Sequence, residues 1–481
     1  MIFDWSVISL ELFTTILGLG VVLLGLLFPG LRNKATLGYL TIAGLIIILL
    51  GSTLIKTTVP TYFINEYFVQ DSLSLLFKQI FLIVSILVSL IAIPYFKSEK
   101  NNRSDFFGLA IFALVGMMIM ASAKEFITLY LGLEFMTLTF VILTAYLKQN
   151  LKSGEAGLKY IILSAVSTGI FLYGLSFVYA LTGSLEYGQI VGVLSQQGYS
   201  PMLMLALTMV LVGFSFKITL VPFHMWAPDI YEGAPTPITA FLAVGSKAAG
   251  FIALIRVLFE VFAANMPVFM PIVILLTMLT MIIGNLIALA QTQMKRLLAY
   301  SSIAHVGYII LGIIAYTQLG ISAILFYLVL YMFSNIGAFA AIIAISAQTG
   351  SDKIADLAGL WRNSPFSASI LLICLLSLAG IPPTAGFIGK FFLFTEAIKQ
   401  GYLFLVFLAL IMSLVSIYYY IMVIRTLLSG SSPVLAANKK IEIPFILKFV
   451  MIFSAGMTLL MGILPGPFVD YFLKIAASYI Y

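Results

Sequence analysis

Several charged side chains lie inside long apolar stretches of this 481-residue chain. A lysine or a carboxylate near the middle of an apolar helix in a membrane costs about 2.5–3.5 kcal/mol on insertion scales, so it needs a partner, water or a function. The candidates, including the only two histidines, are Glu134, Lys159, Lys217, Lys247, Arg256, Lys390, Glu396, His224 and His305. Burial makes a lysine release its proton more readily, whereas a nearby carboxylate has the opposite effect. A row of such groups therefore predicts a proton relay.

The composition limits the class of protein. Apolar residues make up 62% of the chain and charged residues only 9%, whereas an ordinary soluble domain has about 25% charged residues. This excludes a soluble enzyme, a disordered chain and a nucleic-acid binder. The single cysteine, Cys374, excludes an intrachain disulfide and a thiolate-ligated zinc or iron–sulfur site.

The apolar runs predict an all-α polytopic membrane protein with about fourteen spans. A spanning helix needs about 20 residues, and the runs are continuously apolar, which favours helices over a β-barrel. The predicted spans are 9–29, 36–55, 73–95, 106–122, 126–147, 157–182, 202–220, 236–258, 268–290, 297–316, 319–346, 367–388, 402–427 and 445–464.

The basic residues predict the orientation. With the N-terminus outside, the predicted cytoplasmic side carries Arg32, Lys34, Lys97, Lys100, Arg103, Lys148, Lys152, Lys295, Arg296, Lys353, Arg362, Arg425, Lys439 and Lys440. The other side carries only Lys56, Lys124, Lys399 and Lys474. This positive-inside bias indicates an even number of spans with both termini on the non-cytoplasmic side. The start of the chain lacks a basic leader, so the first apolar run is interpreted as a retained span.

Two predicted spans are interrupted by proline and glycine. Pro222 breaks the seventh run within 213–224, and Pro382 and Pro383 break the twelfth within 380–390. Broken backbone at membrane depth must face protein or water. Broken helices at corresponding positions of two halves are typical of a transporter with inverted repeats.

Plainer interpretations remain open for several candidates. Lys159 begins its predicted span and Lys295 marks the cytoplasmic end of the tenth span, 297–316, so both could simply reach the membrane surface. Glu134 and Lys217 could form a structural pair, and His305 could be a buried hydrogen-bond partner. Arg256 and Glu260, spaced i and i+4, are interpreted as a structural pair, and Glu396 as an exit-side or structural group. Two histidines on different spans do not favour a metal or haem site, and no nucleophile–base arrangement is apparent.

Three motifs carry a resemblance to a known family. The segments 216–237, 295–305 and 380–387 resemble the antiporter-like membrane subunits of respiratory complex I and their Mrp antiporter relatives. The resemblance covers about 70–470. Within it, 228–235 and the end of the chain soon after Pro467 resemble the subunit N (subunit 2) branch. Lys390 agrees with this branch, because subunit M is expected to carry glutamate at that position.

The resemblance implies a fold and a division of the chain. It implies fourteen helices with two inverted five-helix repeats, each containing a discontinuous helix. The expected parts are 1–104 with helices 1–3, 105–260 with helices 4–8, 261–430 with helices 9–13, and 431–481 with helix 14 and the tail.

The resemblance also implies roles for residues and partners. Glu134 is expected to pair with Lys217, Lys247 and His305 to bridge the two halves, and Lys390 to be the terminal proton carrier. Lys159, His224 and Lys295 complete the candidate set. No cofactor or metal is expected in this chain, whereas quinone, flavin and iron–sulfur clusters are expected in partner subunits. The expected partners are neighbouring antiporter-like and small helical subunits, in a bacterial or archaeal plasma membrane or a thylakoid-type membrane.

Three functions are compatible with these residues. The leading hypothesis is a proton-translocating membrane-arm subunit of a complex I-type quinone oxidoreductase. The alternative is a cation/proton antiporter subunit of the Mrp type, which would share the buried lysines. A scaffold that only packs helices in a large assembly is the third.

Overall fold

The computed structural model describes most of the chain, and the described part is almost entirely helical. The described residues are 5–28, 35–55, 57, 59–63, 67–98, 105–195, 200–430 and 442–479. The basic residues Arg32, Lys34, Lys56, Lys100, Arg103, Lys439 and Lys440, which entered the orientation argument, lie outside these ranges. The multi-pass helical fold expected from composition is confirmed.

Nineteen helices and one small hairpin are found in the described ranges. The helices are α1 Ser9–Leu27, α2 Thr36–Ser52, α3 Ser72–Ser98, α4 Asp105–Ser122, α5 Phe126–Thr144, α6 Leu151–Thr182, α7 Tyr187–Leu194, α8 Pro201–Ile218, α9 Trp226–Gly233, α10 Thr236–Val261, α11 Met266–Ala288, α12 Met294–Ala315, α13 Gln318–Thr349, α14 Leu360–Asn363, α15 Pro365–Ala379, α16 Ala385–Lys399, α17 Leu403–Leu428, α18 Phe445–Ile463 and α19 Gly466–Tyr479. The antiparallel strands are β1 Thr61–Phe63 and β2 Phe68–Gln70.

Twelve of the described helices are long and apolar enough to cross a membrane, and α2 and α15 are shorter apolar helices. Each predicted span coincides with one of these fourteen helices, within a few residues at most ends. The proposed repeats and the boundaries at 104, 260 and 430 stay predictions.

Helix starts follow capping side chains. Asn150 accepts hydrogen bonds from the backbone N–H groups of Lys152 and Ser153, at 3.0 and 3.4 Å, and so caps α6. The helix therefore begins at Leu151, six residues before the predicted 157. Lys159 is the ninth residue of α6 and not its first, which corrects the prediction that it begins the span.

The two predicted breaks are confirmed. α8 ends at Ile218 and is followed by Thr219, whose φ of 67° is left-handed, and the chain resumes as α9 after a short loop. The indole N–H of Trp226 donates to the Phe216 carbonyl at 2.8 Å and joins the two halves. α15 ends at Ala379 and is followed by Gly380, with φ 83°, and α16 then runs to Lys399, eleven residues beyond the predicted end of this span.

A further irregularity in α10 has no signal in the sequence. The segments Leu242–Ser246 and Val257–Val261 have π-helical hydrogen bonding. Single π turns inside α-helices are frequent at functional sites because they turn the following side chains. Lys247 follows the first π turn directly.

The charged residues lie between closely packed central helices. The apolar stretches of α10 and α13 are completely buried, and 94% of the residues in the apolar stretch of α12 are buried. In α1, α6 and α11 only 33% are buried, so these helices lie at the rim of the bundle. The α4–α5 crossing depends on glycine, since a Cβ on Gly116 would lie 2.6 Å from the Met136 backbone nitrogen. Small residues allow such close approach between membrane helices. This contact fixes α5, which carries Glu134.

The two ends of the bundle differ in charge. One end, called here the basic end, contains the α5–α6 and α11–α12 turns and the C-terminus of α13, which meet around Lys152, Lys295 and Asp352. The opposite end contains the β-hairpin and the α4–α5 and α6–α7 turns, joined by bridges at Ala123 and Glu125.

Candidate functional site

Lys217 lies at the end of the first half of the broken helix α8–α9. It is buried, and its ammonium donates a hydrogen bond to Thr137 Oγ1 at 2.9 Å. Glu134, one turn earlier on α5, is half-buried and accepts a hydrogen bond from Thr168 Oγ1 at 2.6 Å. A small cleft with an empty volume of about 290 Å³ separates α5, α6 and α8 at this point. Its polar lining consists of Thr137, Ser164, Ser167, Thr168 and Lys217.

The expected direct pair between Glu134 and Lys217 is not formed. Among the described residues no ion pair joins them, because each charge is bonded to a different threonine. Thr137 and Glu134 are three residues apart on α5, so the hydroxyl that binds Lys217 lies one helical turn from the carboxylate. Each charge is thus bound to a hydroxyl group and not to the other charge.

Lys247 lies at the centre of the molecule. It is buried and hydrogen-bonded to Ser302 Oγ on α12, and its ammonium lies 5.9 Å from the centre of the Tyr231 ring. No carboxylate of the described residues forms an ion pair with it. A hydroxyl and an aromatic face are therefore its polar surroundings.

His305 is surrounded by tyrosines. Its Nδ1 lies 2.7 Å from the Tyr327 hydroxyl and its Nε2 lies 3.4 Å from the Tyr420 hydroxyl. The rings of Tyr308 and Tyr331 pack against the imidazole at 5.9 and 5.3 Å between centroids. The imidazole is thus held on both nitrogens by neutral groups that can donate or accept.

Lys390 lies in the second half of the other broken helix. Its ammonium donates to the Ala379 carbonyl at 2.8 Å and to Ser413 Oγ at 2.9 Å, with Ser416 Oγ at 3.5 Å. It also lies 5.0 Å from the Tyr308 ring centre. Ala379 is the last residue of α15, and the C-terminal carbonyls of a helix favour a cation. The break therefore supplies the polar contacts that this buried lysine needs.

One face of α12 connects the two central lysines. Ser302, His305 and Tyr308 are spaced three residues apart, which places them along one side of the helix. Ser302 contacts Lys247, Tyr308 contacts Lys390, and His305 lies between them. The expectation that Lys247 and His305 lie between the two broken helices is therefore consistent with their positions.

Tyr160 extends this arrangement toward Glu134. Its ring stacks on Trp226, with centroids 5.0 Å apart and an interplanar angle of 6°. The hydroxyl lies near Ser246, the residue before Lys247, but neither hydroxyl has a hydrogen-bond partner among the described residues. Two buried hydroxyls without hydrogen-bond partners in the described residues, those of Tyr160 and Ser246, therefore lie near one another beside the start of the Lys247 segment.

Comparison with known proteins identifies the family. The family model described as NADH:quinone oxidoreductase/Mrp antiporter, TM, matches residues 123–416. The chain belongs to this family. The expected resemblance is confirmed, and the matched region contains the proton-relay candidates Glu134, Lys159, Lys217, His224, Lys247, Lys295, His305 and Lys390.

Full-length relatives point to one branch of the family. The chain is 43% identical over 480 residues to NADH-quinone oxidoreductase subunit N of Desulforamulus reducens, with 100% of both chains covered. It is 42% identical to NAD(P)H-quinone oxidoreductase subunit 2 of Picosynechococcus, covering 85% of this chain and 78% of that one.

Solved structures show the same fold. A chain of respiratory complex I from Thermus thermophilus superposes with a TM-score of 0.81 at 31% identity, covering 96% of this chain and 98% of that chain. A chain of the Mrp complex from Dietzia sp. gives 0.87 at 20% identity, covering 98% and 97%. The second similarity concerns the fold alone. The two relatives at 42–43% identity carry the names of quinone oxidoreductase subunits.

Three candidate residues of this family member lie away from the central row. Lys159 forms ion pairs with Glu155 and Asp229, at 2.7 and 2.8 Å, and its side chain is 42% exposed. His224 lies in the loop between α8 and α9, and its Nδ1 is buried without a hydrogen-bond partner among the described residues. The third is Lys295, at the basic end.

Lys295 lies at the basic end, beneath an open cavity. It is buried, donates to the carbonyls of Glu232 and Ala234 at 3.2 Å, and has an ion pair with Asp352 at 3.5 Å. The cavity above it has an empty volume of about 1210 Å³. Its polar lining includes Asn150, Lys152, Glu232, Gln293, Lys295, Ser351, Asp352 and Lys353. Water therefore has space at this end, directly beside Lys295.

The expected structural pair of Arg256 and Glu260 is confirmed, at 2.8 Å. Arg256 also donates to both oxygens of Asp71, at 2.7 and 2.9 Å, and to the Ala121 carbonyl at 2.8 Å. Glu260 in turn pairs with Lys124 at 2.6 Å. Arg256 thus connects α10 to α3 and α4 at the opposite end.

Two sets of buried polar groups were not predicted from the sequence. Lys78 and Glu11 form an ion pair at 2.7 Å in which the lysine side chain is 0% exposed, and Lys78 also bonds the Gln70 side chain. Lys78 lies inside the predicted span 73–95, so its charge was a usable signal. The tyrosines around His305 carried none, because tyrosine is common in apolar helices.

Glu396 pairs with the exposed Lys399 at 2.6 Å, which leaves both of its interpretations open. In the part of the chain that the structure describes, no group of three His, Cys, Asp or Glu residues could hold a metal ion.

Proposed function

We propose that this chain is a proton-translocating membrane-arm subunit of a complex I-type NADH-quinone oxidoreductase, in the position of subunit N. The observation that carries the proposal is the row of Lys217, Lys247 and Lys390. Each is buried, and each is bonded to hydroxyl or carbonyl groups in place of a carboxylate. Three structural lysines would gain nothing from such surroundings, because an unpaired buried charge is costly.

The first step depends on Glu134. When its carboxylate approaches Lys217, the ammonium form is favoured and the proton stays. When the carboxylate is held by Thr168, as here, the buried ammonium is less favoured and releases its proton. The change between the two arrangements exchanges the Thr137 and Thr168 hydrogen bonds for a direct contact between Lys217 and Glu134.

The later steps follow the row toward the second half. A proton released by Lys217 passes through the hydroxyl-lined space at Tyr160 and Ser246 to Lys247, and then along the α12 face at Ser302 and His305 to Lys390. The broken helices supply the dipoles and the room for water that such transfer needs.

The remaining candidates are assigned to access. Lys295 and its cavity would admit water and protons at the basic end, which we take as the cytoplasmic side. Lys159 would orient Asp229 near this entrance, and His224 would line the break in α8–α9. Quinone reduction, flavin and iron–sulfur chemistry would reside in partner subunits, and conformational change would transmit their free energy to Glu134.

The proposal is tested by Lys217→Ala and Glu134→Gln in the complex in inverted membrane vesicles. Protons taken up per NADH oxidised should fall in both variants, while NADH oxidation by uncoupled vesicles and subunit content are retained. Lys448→Ala is the matched control, because that lysine is exposed on α18, away from the row. Wild-type proton uptake in both test variants would refute the relay.

The same variants separate the alternatives. If the chain is only a scaffold, Lys217→Ala should reduce the amount of assembled complex without changing protons per NADH. If it is an Mrp-type antiporter subunit, membranes containing it should show sodium-dependent proton exchange without an electron donor. The relatives at 43% identity over the full length favour the oxidoreductase.

A further inference from the structure

His305 is joined through its two nitrogens to two different helices. Tyr327 belongs to α13 and Tyr420 to α17, and all three side chains are buried. Both groups that contact the imidazole nitrogens are phenols, and neither is a carboxylate. A phenol remains neutral, yet it can both donate and accept a proton. They are therefore suited to passing a proton without holding a charge.

The two contacts differ in length. The Tyr327 contact of 2.7 Å is that of a strong hydrogen bond, whereas the Tyr420 contact of 3.4 Å exceeds the usual range. Tyr327 consequently fixes the orientation of the ring. The Tyr420 side is the one that a small movement can make or break.

Tyr420 lies one helical turn from a serine that contacts Lys390. Ser416, which is 3.5 Å from the Lys390 ammonium, precedes Tyr420 by four residues, so both are on one face of α17. In this structure the Ser416 hydroxyl donates to the Ser413 carbonyl at 2.6 Å. The other two tyrosines both contact Asn285, and their hydroxyls also lie near Ser416 and Tyr420, respectively. Asn285 donates to the Tyr308 hydroxyl at 3.0 Å and accepts from the Tyr419 hydroxyl at 3.3 Å.

We propose that Tyr420 carries the proton between His305 and Lys390, and that Tyr327 is a positioning residue that directs His305 Nε2 toward it. The inference rests on the proposed function and names the step between these two relay groups. The movement that couples the relay would shorten the contact between Nε2 and the Tyr420 oxygen.

The transfer conserves protons at every group. His305 in its doubly protonated form gives the Nε2 proton to the Tyr420 oxygen, while the original hydroxyl proton of Tyr420 leaves toward Ser416. The Ser416 hydroxyl turns from the Ser413 carbonyl, takes the proton from Tyr420 and delivers its own proton to the neutral amine of Lys390. Tyr420 and Ser416 end as neutral hydroxyls, His305 ends neutral, and Lys390 ends as an ammonium.

Adjacent tyrosines allow a matched test. Tyr420→Phe removes the hydroxyl that faces His305, whereas Tyr419→Phe removes an equally buried hydroxyl from the next residue, where it bonds Asn285. In inverted vesicles, protons per NADH should fall in Tyr420→Phe to the level of Lys390→Met and should be retained in Tyr419→Phe. Ser416→Ala should give a loss in the same direction and provides a second variant if Tyr420→Phe does not assemble.

The positioning role of Tyr327 has its own measurement. In Tyr327→Phe the imidazole loses the hydrogen bond that orients it, so proton transfer at His305 should limit turnover. The rate of NADH oxidation by coupled vesicles in H₂O, divided by the rate in D₂O, should therefore rise. A purely structural effect would lower the amount of complex and leave this ratio unchanged, which would overturn the role.

The outcomes distinguish this inference from the proposed function. If Lys217→Ala abolishes pumping but Tyr420→Phe pumps like the wild type, only the tyrosine step is wrong. Equal losses in Tyr419→Phe and Tyr420→Phe would mean that packing is responsible, which also overturns it. Wild-type pumping in Lys217→Ala would contradict the proposed function itself.

Discussion

Lys217 donates its hydrogen bond to Thr137, one helical turn from Glu134, and not to the Glu134 carboxylate. The lysine is thus bound next to the turn that carries a carboxylate without forming an ion pair with it. A direct buried ion pair would hold both charges firmly, since separating one leaves an uncompensated charge. An intervening hydroxyl keeps the two arrangements closer in free energy, as a switch requires.

Thr137→Val should slow proton pumping. Valine has a similar shape but leaves the Lys217 ammonium without its hydroxyl acceptor, a loss of about 1–3 kcal/mol for a buried polar group. We expect Lys217 to turn to Glu134 and retain its proton, which would lower protons per NADH in vesicles.

Thr139→Val on the same helix is the control for this experiment. Its hydroxyl bonds only the Phe135 carbonyl of its own helix, at 2.7 Å, so its removal should leave pumping unchanged. Equal pumping in Thr137→Val and the wild type would show that the threonine does not regulate the pair.

Lys390→Met should abolish transfer at the end of the row while preserving packing. Methionine fills the space beside Tyr308 but cannot accept a proton, and the freed Ala379 carbonyl costs about 1–3 kcal/mol. We expect assembled complex with reduced protons per NADH. Lys399→Met, at an exposed lysine nine residues later on the same helix, should pump normally; a loss of the same size there would remove the special role of Lys390.

The fold was largely predictable because membranes restrict the backbone so strongly. Long apolar runs specify helices, and Pro222 and Pro382–Pro383 specify where they break, since both effects are local. The end of α16 and the start of α6 were not predictable. The first depends on tertiary contacts beyond the break, and the second on the Asn150 cap, which lies in a polar stretch that hydropathy excludes.

The candidate site was predictable in its charges but not in their partners. Lys217, Lys247 and Lys390 stand out because each is costly in an apolar helix. That Lys247 meets Ser302, or that His305 meets Tyr327 and Tyr420, depends on the packing of helices far apart in the chain. Serine and tyrosine also cost little in such helices, so their positions give no signal. The π turn before Lys247 likewise depends on tertiary packing.

The Glu11–Lys78 pair should stabilise the attachment of α1 to α3. Glu11→Ala would leave a fully buried lysine without its carboxylate, and breaking a buried pair costs about 3–5 kcal/mol. We expect a lower thermal stability of the purified complex and partial loss of this subunit.

The double variant Glu11→Leu with Lys78→Leu tests whether the pair is structural. Replacement of both charges by apolar residues is often neutral, so stability should largely recover, with normal pumping. Recovered stability together with impaired pumping would instead place Lys78 in proton transfer.

Arg256→Lys should weaken the opposite end of the bundle despite conserving charge. Arg256 donates to both oxygens of Asp71, to Glu260 and to the Ala121 carbonyl through one planar group. A lysine ammonium has three donors on a flexible stem and cannot reproduce this fork. At least one of these acceptors would lose its donor, which costs about 1–3 kcal/mol of stability, or more for a carboxylate.

We therefore expect a lower thermal transition of the purified complex, with protons per NADH unchanged in the fraction that remains assembled. Lys124→Arg, which keeps a charge-matched partner for Glu260 at a half-buried position, should leave the transition close to that of the wild type; a fall in pumping in Arg256→Lys would show that this network conducts protons.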